Sequence, residues 1–214
     1  MEPLGVYLAE RGISVTCPVL AGHMDVSEME SAGWKEWRAT AMDALEELRA
    51  EVSQVFLVGF SLGGLIAFDL AASTGLDLAG VVAINTPIKL ASKQVLRAHL
   101  MRYRNVPGQE ESVGDRVPMS CVSSLYDYAS RVEALLPIVT LPVLVIQSKQ
   151  DDVVDPQDAK TIRNLLGAED KKVVWVDEGS HLVVLEKNRM CVFEAVFRFL
   201  KERAPDGVGG DEAQ

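Results

Sequence analysis

A serine flanked by glycines is the first feature of the chain that could do chemistry. The sequence around Ser61 reads Gly-Phe-Ser-Leu-Gly-Gly, which contains the pattern Gly-x-Ser-x-Gly. The preceding run Val55–Val58 is typical of a buried strand, and the apolar segment after the serine indicates a helix that begins at once. Such a sharp corner would need Gly59 and Gly63 to avoid side-chain collisions. The alternative is a flexible turn with an incidental serine, but both flanks favour a strained turn that exposes the hydroxyl.

Two further residue types are needed to make that hydroxyl reactive. A serine is a weak nucleophile that needs a base, and the base needs a carboxylate to orient it. The histidines are His23, His99 and His181, and we favour His181 because it follows the last predicted strand. Asp151 and Asp152 both follow the strand before it. We favour Asp151, the earlier of the two, and interpret Asp152 as a loop carboxylate.

Strands and helices alternate along the chain, which predicts a mostly parallel α/β sheet flanked by helices. The predicted strands are Ile13–Val19, Val55–Val58, Gly80–Asn85, Pro142–Gln147 and Lys172–Asp177. The predicted helices are Leu4–Arg11, Trp34–Leu48, the segment after Ser61, Asp155–Leu166 and Lys187–Lys201. Ligands of such sheets bind at the carboxyl edge of the strands, where the three candidate residues are expected.

One stretch interrupts this alternation. Residues 88–139 contain no convincing strand and are interpreted as a small helical lid between two parts of the core, 1–87 and 140–203. Residues 204–214 are expected to form a disordered tail. Some apolar residues of the lid could face an acyl chain, although packing within the lid explains them equally well: Met101, Met119, Tyr126 and Leu135.

Composition restricts the class of protein. The chain has 214 residues, enough for one domain, and a formal net charge of −10, which argues against nucleic acid and anionic membranes as partners. The three cysteines have no metal-ligand spacing and are expected to be free thiols in a reducing cytoplasm. No secretory signal is recognisable, and no apolar run approaches the ~20 residues of a membrane-spanning helix.

Almost the whole chain resembles the small bacterial carboxylesterases and monoglyceride lipases of the α/β-hydrolase superfamily. The order serine, aspartate, histidine is that of this superfamily. The matching stretches are Pro18–His23, Gly59–Gly64, Asp151–Pro156 and Gly179–His181. The resemblance implies an α/β-hydrolase fold.

The resemblance also implies a role for each site residue. Ser61 would attack the ester, His181 would shuttle the proton and Asp151 would orient the histidine, which supports Asp151 over Asp152. The backbone N–H of Leu62 would be one donor of the oxyanion hole. No metal or cofactor is expected. Where the family often has glycine before its histidine, this chain has Ser180.

The start of the chain departs from the family pattern. In the family a strand ending in a His-Gly motif precedes the first helix, and its loop donates the second N–H of the oxyanion hole. This sequence begins after that point, so we expect a chain truncated at the N-terminus that lacks these strands. The Ile13–Val19 strand would then either leave an empty slot beside Val55–Val58 or slide inward to pair with it.

These observations lead to two hypotheses. The first is a serine carboxylic ester hydrolase that acts on short- to medium-chain esters or monoacylglycerols through an acyl-enzyme; thioesters or amides would use the same residues. The second is a catalytically impaired α/β-hydrolase scaffold that binds a ligand or partner, because its oxyanion hole is incomplete.

Overall fold

The computed structural model describes residues 1–23, 28, 30–90 and 118–204. The strands in these residues are β1 (Phe56–Phe60), β2 (Gly80–Ile84), β3 (Val143–Ser148) and β4 (Lys171–Val176). The helices are α1 (Glu2–Ala9), α2 (Trp34–Arg49), α3 (Leu62–Ser73), α4 (Met119–Leu135), α5 (Gln157–Leu165) and α6 (Arg189–Lys201). A short 3₁₀ helix, Leu136–Ile138, follows α4.

The four strands form one parallel sheet in the order β1-β2-β3-β4. Every residue of β2 and β3 is buried, as expected of strands covered on both faces. Since all four strands run the same way, their carboxyl ends meet at one edge of the sheet. Four of the five predicted strands are therefore confirmed, with small differences at their ends.

Helices cover both faces of the sheet and divide its side chains into two apolar cores. On one face, α2, α3, α4 and α5 pack against β2 and β3 through Val81, Ala83, Val143 and Val145. On the other face, α1 and α6 pack against side chains of alternate register in the same strands. The result is a three-layer α/β/α arrangement, which is the predicted α/β-hydrolase fold class.

The predicted strand Ile13–Val19 is wrong. Residues 13–20 have no regular secondary structure, and Val15 and Val19 are exposed. Two cavities of about 290 and 460 Å³ lie between this segment and β1. The pattern of Ile13–Val19 is strand-like, but a strand needs a main-chain partner, and this cleft separates the segment from β1. In the described part of the chain, the edge of β1 opposite β2 has no strand partner.

The described part of the predicted lid is helical and joins the main core. Val122 and Val132 of α4 are fully buried against the helices of that face. Tyr128 of the same helix stacks on Trp34, with ring centroids 5.2 Å apart. Whether the segment also covers the site stays a prediction, since residues 91–117, including His99 and Met101, lie outside the described residues, as do residues 205–214.

No helix in the described part of the chain is long and apolar enough to cross a membrane.

Candidate active site

Ser61 occupies the sharp turn between β1 and α3. Its backbone has φ 52° and ψ −119°, a conformation that a non-glycine residue rarely adopts. The Ser61 N–H donates to the carbonyl of Ile84 at 2.8 Å, which continues the pairing of β1 with β2 into the turn. Strain of this kind costs about 1–3 kcal/mol and persists only where the surrounding structure enforces it. The turn carries the side chain above the sheet edge.

The glycines of the turn have different roles. A Cβ atom on Gly59 would lie 2.1 Å from the carbonyl oxygen of Gly63, so this position requires glycine. A Cβ on Gly64 would lie 1.9 Å from Oγ1 of Thr86, which follows β2. A Cβ on Gly63 would meet nothing within 4 Å. The predicted need for glycine is therefore confirmed at Gly59 and wrong at Gly63. The second position that requires glycine is Gly64, where α3 lies close to the residue after β2.

His181 lies on the loop after β4 and faces Ser61. Its Nε2 atom is 3.1 Å from the Ser61 Oγ, and its Nδ1 atom is 3.0 Å from the Oδ2 of Asp151. The histidine is buried and its ring packs against Phe60, with centroids 5.0 Å apart. The imidazole thus bridges a hydroxyl and a carboxylate with opposite nitrogens, as a base oriented by an acid would.

Asp151 is held by donors from its own loop and strand. Its Oδ1 accepts hydrogen bonds from the N–H groups of Val153 and Val154, each at 2.9 Å. Its Oδ2 accepts a longer one, 3.3 Å, from Nε2 of Gln147. The side chain of Asp151 is fully buried, whereas Asp152 is exposed. The contact with the imidazole is thus made by Asp151, the residue favoured from the sequence.

The loop that carries His181 is closed on itself. Gly179 has φ 129°, a conformation that favours glycine. Ser180, the departure from the family pattern, donates its N–H to both carboxylate oxygens of Glu186 at 3.1 Å and its hydroxyl to the same group. The serine therefore adds an anchor that glycine could not provide.

An apolar cavity of about 460 Å³ opens beside Ser61. Its walls include Leu20, Leu45 and Ile66, and Leu62 contributes from the turn. The N–H of Leu62 is the first of α3, and the first N–H groups of a helix have no intrahelical acceptor. The residue that bears this N–H and the serine both line the cavity.

The predicted substrate residues of α4 lie elsewhere. Met119 is 40% exposed, and Tyr126 and Leu135 are half-buried; none of the three lines the cavity beside Ser61. His23 does line it. The Nδ1 of His23 is 3.2 Å from the carbonyl oxygen of Ala21, and its ring lies edge-on to Trp37. These contacts are those of a residue that orders its loop.

Sequence reasoning missed two buried polar residues at the same sheet edge. Asn85 and Gln147 are both 0% exposed, and both contact the loops of the site. The sequence signal that could have identified them is a polar residue at or near the end of an apolar strand. Burying such a side chain is unfavourable unless it forms a hydrogen bond, so its presence indicates a specific partner. In the described residues, no group of histidine, cysteine and acidic side chains could hold a metal ion.

Comparison with known proteins points to one superfamily. A family model described as serine aminopeptidase, S33 matches residues 104–188, which include Asp151 and His181 but not Ser61. A carboxylesterase of Bacillus subtilis (strain 168) is 27% identical over 212 residues, covering 93% of this chain and 85% of the relative. A thermostable monoacylglycerol lipase of Bacillus sp. (strain H-257) is 25% identical, covering 95% and 86%.

The fold is also similar to that of a solved lipolytic enzyme. A solved structure from work on LipS and LipT, two metagenome-derived lipolytic enzymes, superposes with a TM-score of 0.83 at 26% identity. The superposed region covers 94% of this chain and 87% of the chain in the solved structure. The structural similarity therefore extends over almost the whole chain.

Proposed function

Because this chain belongs to the α/β-hydrolase superfamily and is a serine hydrolase of esters, we propose that it is a carboxylesterase or monoacylglycerol lipase whose nucleophile is Ser61. His181 is its base, Asp151 orients that base, and the N–H of Leu62 is a donor to the oxyanion.

The proposed reaction has two halves. Ser61 Oγ forms a bond to the ester carbonyl carbon while His181 Nε2 takes the hydroxyl proton. The tetrahedral oxyanion, bound by the N–H of Leu62, collapses; the bond to the alkoxy oxygen breaks, and the imidazolium gives its proton to the leaving alcohol. Water then attacks the acyl-enzyme with His181 again as base, which releases the carboxylic acid and restores Ser61.

One observation carries the proposal. The Oγ of Ser61 and the carboxylate of Asp151 contact opposite nitrogens of His181 at 3.1 and 3.0 Å, and the serine sits in a strained turn at a helix N-terminus. A serine placed by chance has no need of a costly backbone conformation. A helix N-terminus also favours the negative charge that develops during attack.

The apolar cavity supports a substrate with a hydrocarbon chain. Its walls near Ser61 are aliphatic, including Leu45, Leu48 and Ile66. Acyl chains of short to medium length would bury apolar surface there, at roughly 25 cal/mol per Å². The names of the two relatives are consistent with this substrate class.

The proposal is tested by active-site labelling together with hydrolysis. The protein is incubated with a fluorophosphonate probe and assayed with nitrophenyl acetate, butyrate and octanoate, and Ser61→Ala is the matched control. We expect one label per chain on Ser61 and hydrolysis that the substitution abolishes. An unlabelled, folded protein that still binds fatty acid would support the impaired scaffold instead.

A further inference from the structure

We propose that Asn85 is a positioning residue of this site: its side-chain amide ties the loop that carries His181 to the end of the strand that precedes Asp151. The inference rests on the proposed function. None of the three proposed catalytic residues follows β2, and the inference gives a role to the residue at the carboxyl end of that strand. Ser61 follows β1, Asp151 follows β3, and His181 follows β4.

The amide of Asn85 binds a loop and a neighbouring strand end at once. Its Nδ2 donates to the main-chain carbonyl of His181 at 2.9 Å, with a longer contact of 3.4 Å to the carbonyl of Ser180. Its Oδ1 accepts the N–H of Ser148 at 2.8 Å. Ser148 is the last residue of β3, three positions before Asp151. One planar group therefore links the base-bearing loop to the acid-bearing strand, and the hydroxyl of Ser148, which donates to the carbonyl of Gly179, joins the same two elements.

The backbone of Asn85 is bent to make this possible. Its φ is 44°, and it is one of the two non-glycine residues with positive φ in the described chain, the other being Ser61. Its own N–H donates to the carbonyl of Ile146 at 2.9 Å, so β2 stays paired with β3 up to the bend. Asparagine tolerates this region better than most residues, yet the bend still has a cost. The bend turns the amide toward that loop and strand end.

Complete burial makes the arrangement sensitive to the chemistry of the side chain. Asn85 is 0% exposed, and its amide has donors and acceptors matched to a carbonyl and an N–H. Replacing the NH₂ group by an oxygen would set two acceptors against each other beside His181. Removing the side chain would leave the carbonyl of His181 and the N–H of Ser148 buried without this partner, which is unfavourable.

The consequence for catalysis is geometric. His181 must keep its Nε2 within reach of Ser61 and its Nδ1 within reach of Asp151 while a proton moves in both directions. Its main chain is held through the carbonyl that Asn85 binds. A displacement of about 1 Å in such a group can cost on the order of 100-fold in rate. Substrate binding in the cavity beside Ser61 does not depend on that carbonyl.

The test compares Asn85→Gly and Asn85→Asp with the wild type and with Val82→Ala. Asn85→Gly keeps the positive φ and loses the amide, whereas Asn85→Asp keeps the shape and the acceptor but loses the donor. Val82 is a fully buried residue of β2 away from the sheet edge, so its truncation lowers stability without touching the site. Assays run well below every unfolding midpoint, with nitrophenyl butyrate, and fluorophosphonate labelling counts the active sites.

We expect kcat to fall about 10- to 100-fold in both Asn85 variants, with KM within about threefold of wild type. The rate of fluorophosphonate labelling should fall in parallel, while Val82→Ala keeps a near-normal kcat per labelled site. A kcat for Asn85→Gly equal to that of Val82→Ala would overturn the inference, as would loss of folding by both Asn85 variants under conditions where Val82→Ala is folded. A wild-type protein without Ser61 labelling would instead overturn the proposed function.

Discussion

The Nε2 atom of His181 lies 3.1 Å from the Oγ atom of Ser61, although 120 positions of sequence separate the two residues. Ser61 follows β1 and His181 follows β4, the two outer strands of the sheet, and both residues lie at its carboxyl edge, where the loop after β4 brings His181 to Ser61. In this contact the backbone of Ser61 has positive φ.

The strain at Ser61 predicts an order of stability between two inactive variants. Ser61→Ala keeps the penalty of a side chain at φ 52°, whereas Ser61→Gly removes it. Part of that gain is offset by the greater freedom of glycine in the unfolded chain. We expect Ser61→Gly to be the more stable of the two by about 1 kcal/mol, measured by denaturant unfolding. Equal stability, or a more stable alanine variant, would contradict a strained turn.

The glycines of the turn predict a second contrast. Gly59→Ala places a Cβ 2.1 Å from the carbonyl oxygen of Gly63 and should cost at least about 3 kcal/mol or prevent folding. Gly63→Ala adds a methyl with nothing within 4 Å inside a helix, and should be neutral or stabilising by up to about 1 kcal/mol. Thermal unfolding of both variants checks this. A larger loss for Gly63→Ala would mean that the turn is built differently.

The two neighbouring aspartates should differ sharply in their effect on rate. Asp151→Asn keeps the size of the side chain but removes the charge that orients His181, and we expect kcat to fall about 10³- to 10⁴-fold, as in another serine triad. Asp152→Asn, at an exposed position, should change kcat less than about threefold. Steady-state kinetics on nitrophenyl butyrate separates them. Comparable losses for the two variants would argue against the assignment of Asp151.

Asp158 predicts a pH dependence of stability. Burial raises its pKa to about 6, against the opposing effect of the N–H groups of Ile88 and Lys89, which its Oδ2 accepts at 2.7 and 3.0 Å. A carboxyl group with a raised pKa contributes stability that is fully present below the unfolded value of 3.8 and is lost as pH rises through about 6. The loss amounts to at most about 3 kcal/mol.

Asp158→Asn keeps an oxygen acceptor for both N–H groups and cannot ionise. We expect it to be more stable than wild type at pH 7.5 and to lose that advantage toward pH 4. Chemical unfolding at several pH values provides the measurement, and Asp77→Asn, at an exposed position, is the control. An advantage that is constant from pH 4 to 7.5 would show that the carboxyl group of Asp158 does not titrate in this range.

Local patterns were sufficient to predict most of the fold and the three proposed catalytic residues. The runs around Val58, Val82 and Val145 are apolar on both faces, which only a covered parallel strand requires. Asp151 follows β3 and His181 follows β4, so their position relative to strand ends was enough to place them at one edge. The succession of strand, glycine-rich turn and helix places Ser61 at the same edge.

Features that depend on distant partners could not be predicted in this way. The segment Ile13–Val19 has a strand-like composition, but pairing depends on what lies next to it, and in the structure a cleft separates it from β1. The need for glycine at Gly64 arises from Thr86, which is remote in sequence. The contacts of Asn85 join the loop of His181 to the end of β3, so one buried polar residue at a strand end was their only local trace.

The central claim is that Ser61 becomes acylated with His181 as its base. The most direct measurement is intact-mass and peptide mapping of protein quenched during turnover of nitrophenyl butyrate, at pH 7.5 and at pH 5. We predict a butyryl adduct on Ser61 at pH 7.5, absent from Ser61→Ala, and slower acylation at pH 5, because acid favours the protonated form of an imidazole and a base must be neutral. Hydrolysis without any adduct on Ser61, or acylation equally fast at both pH values, would contradict the account.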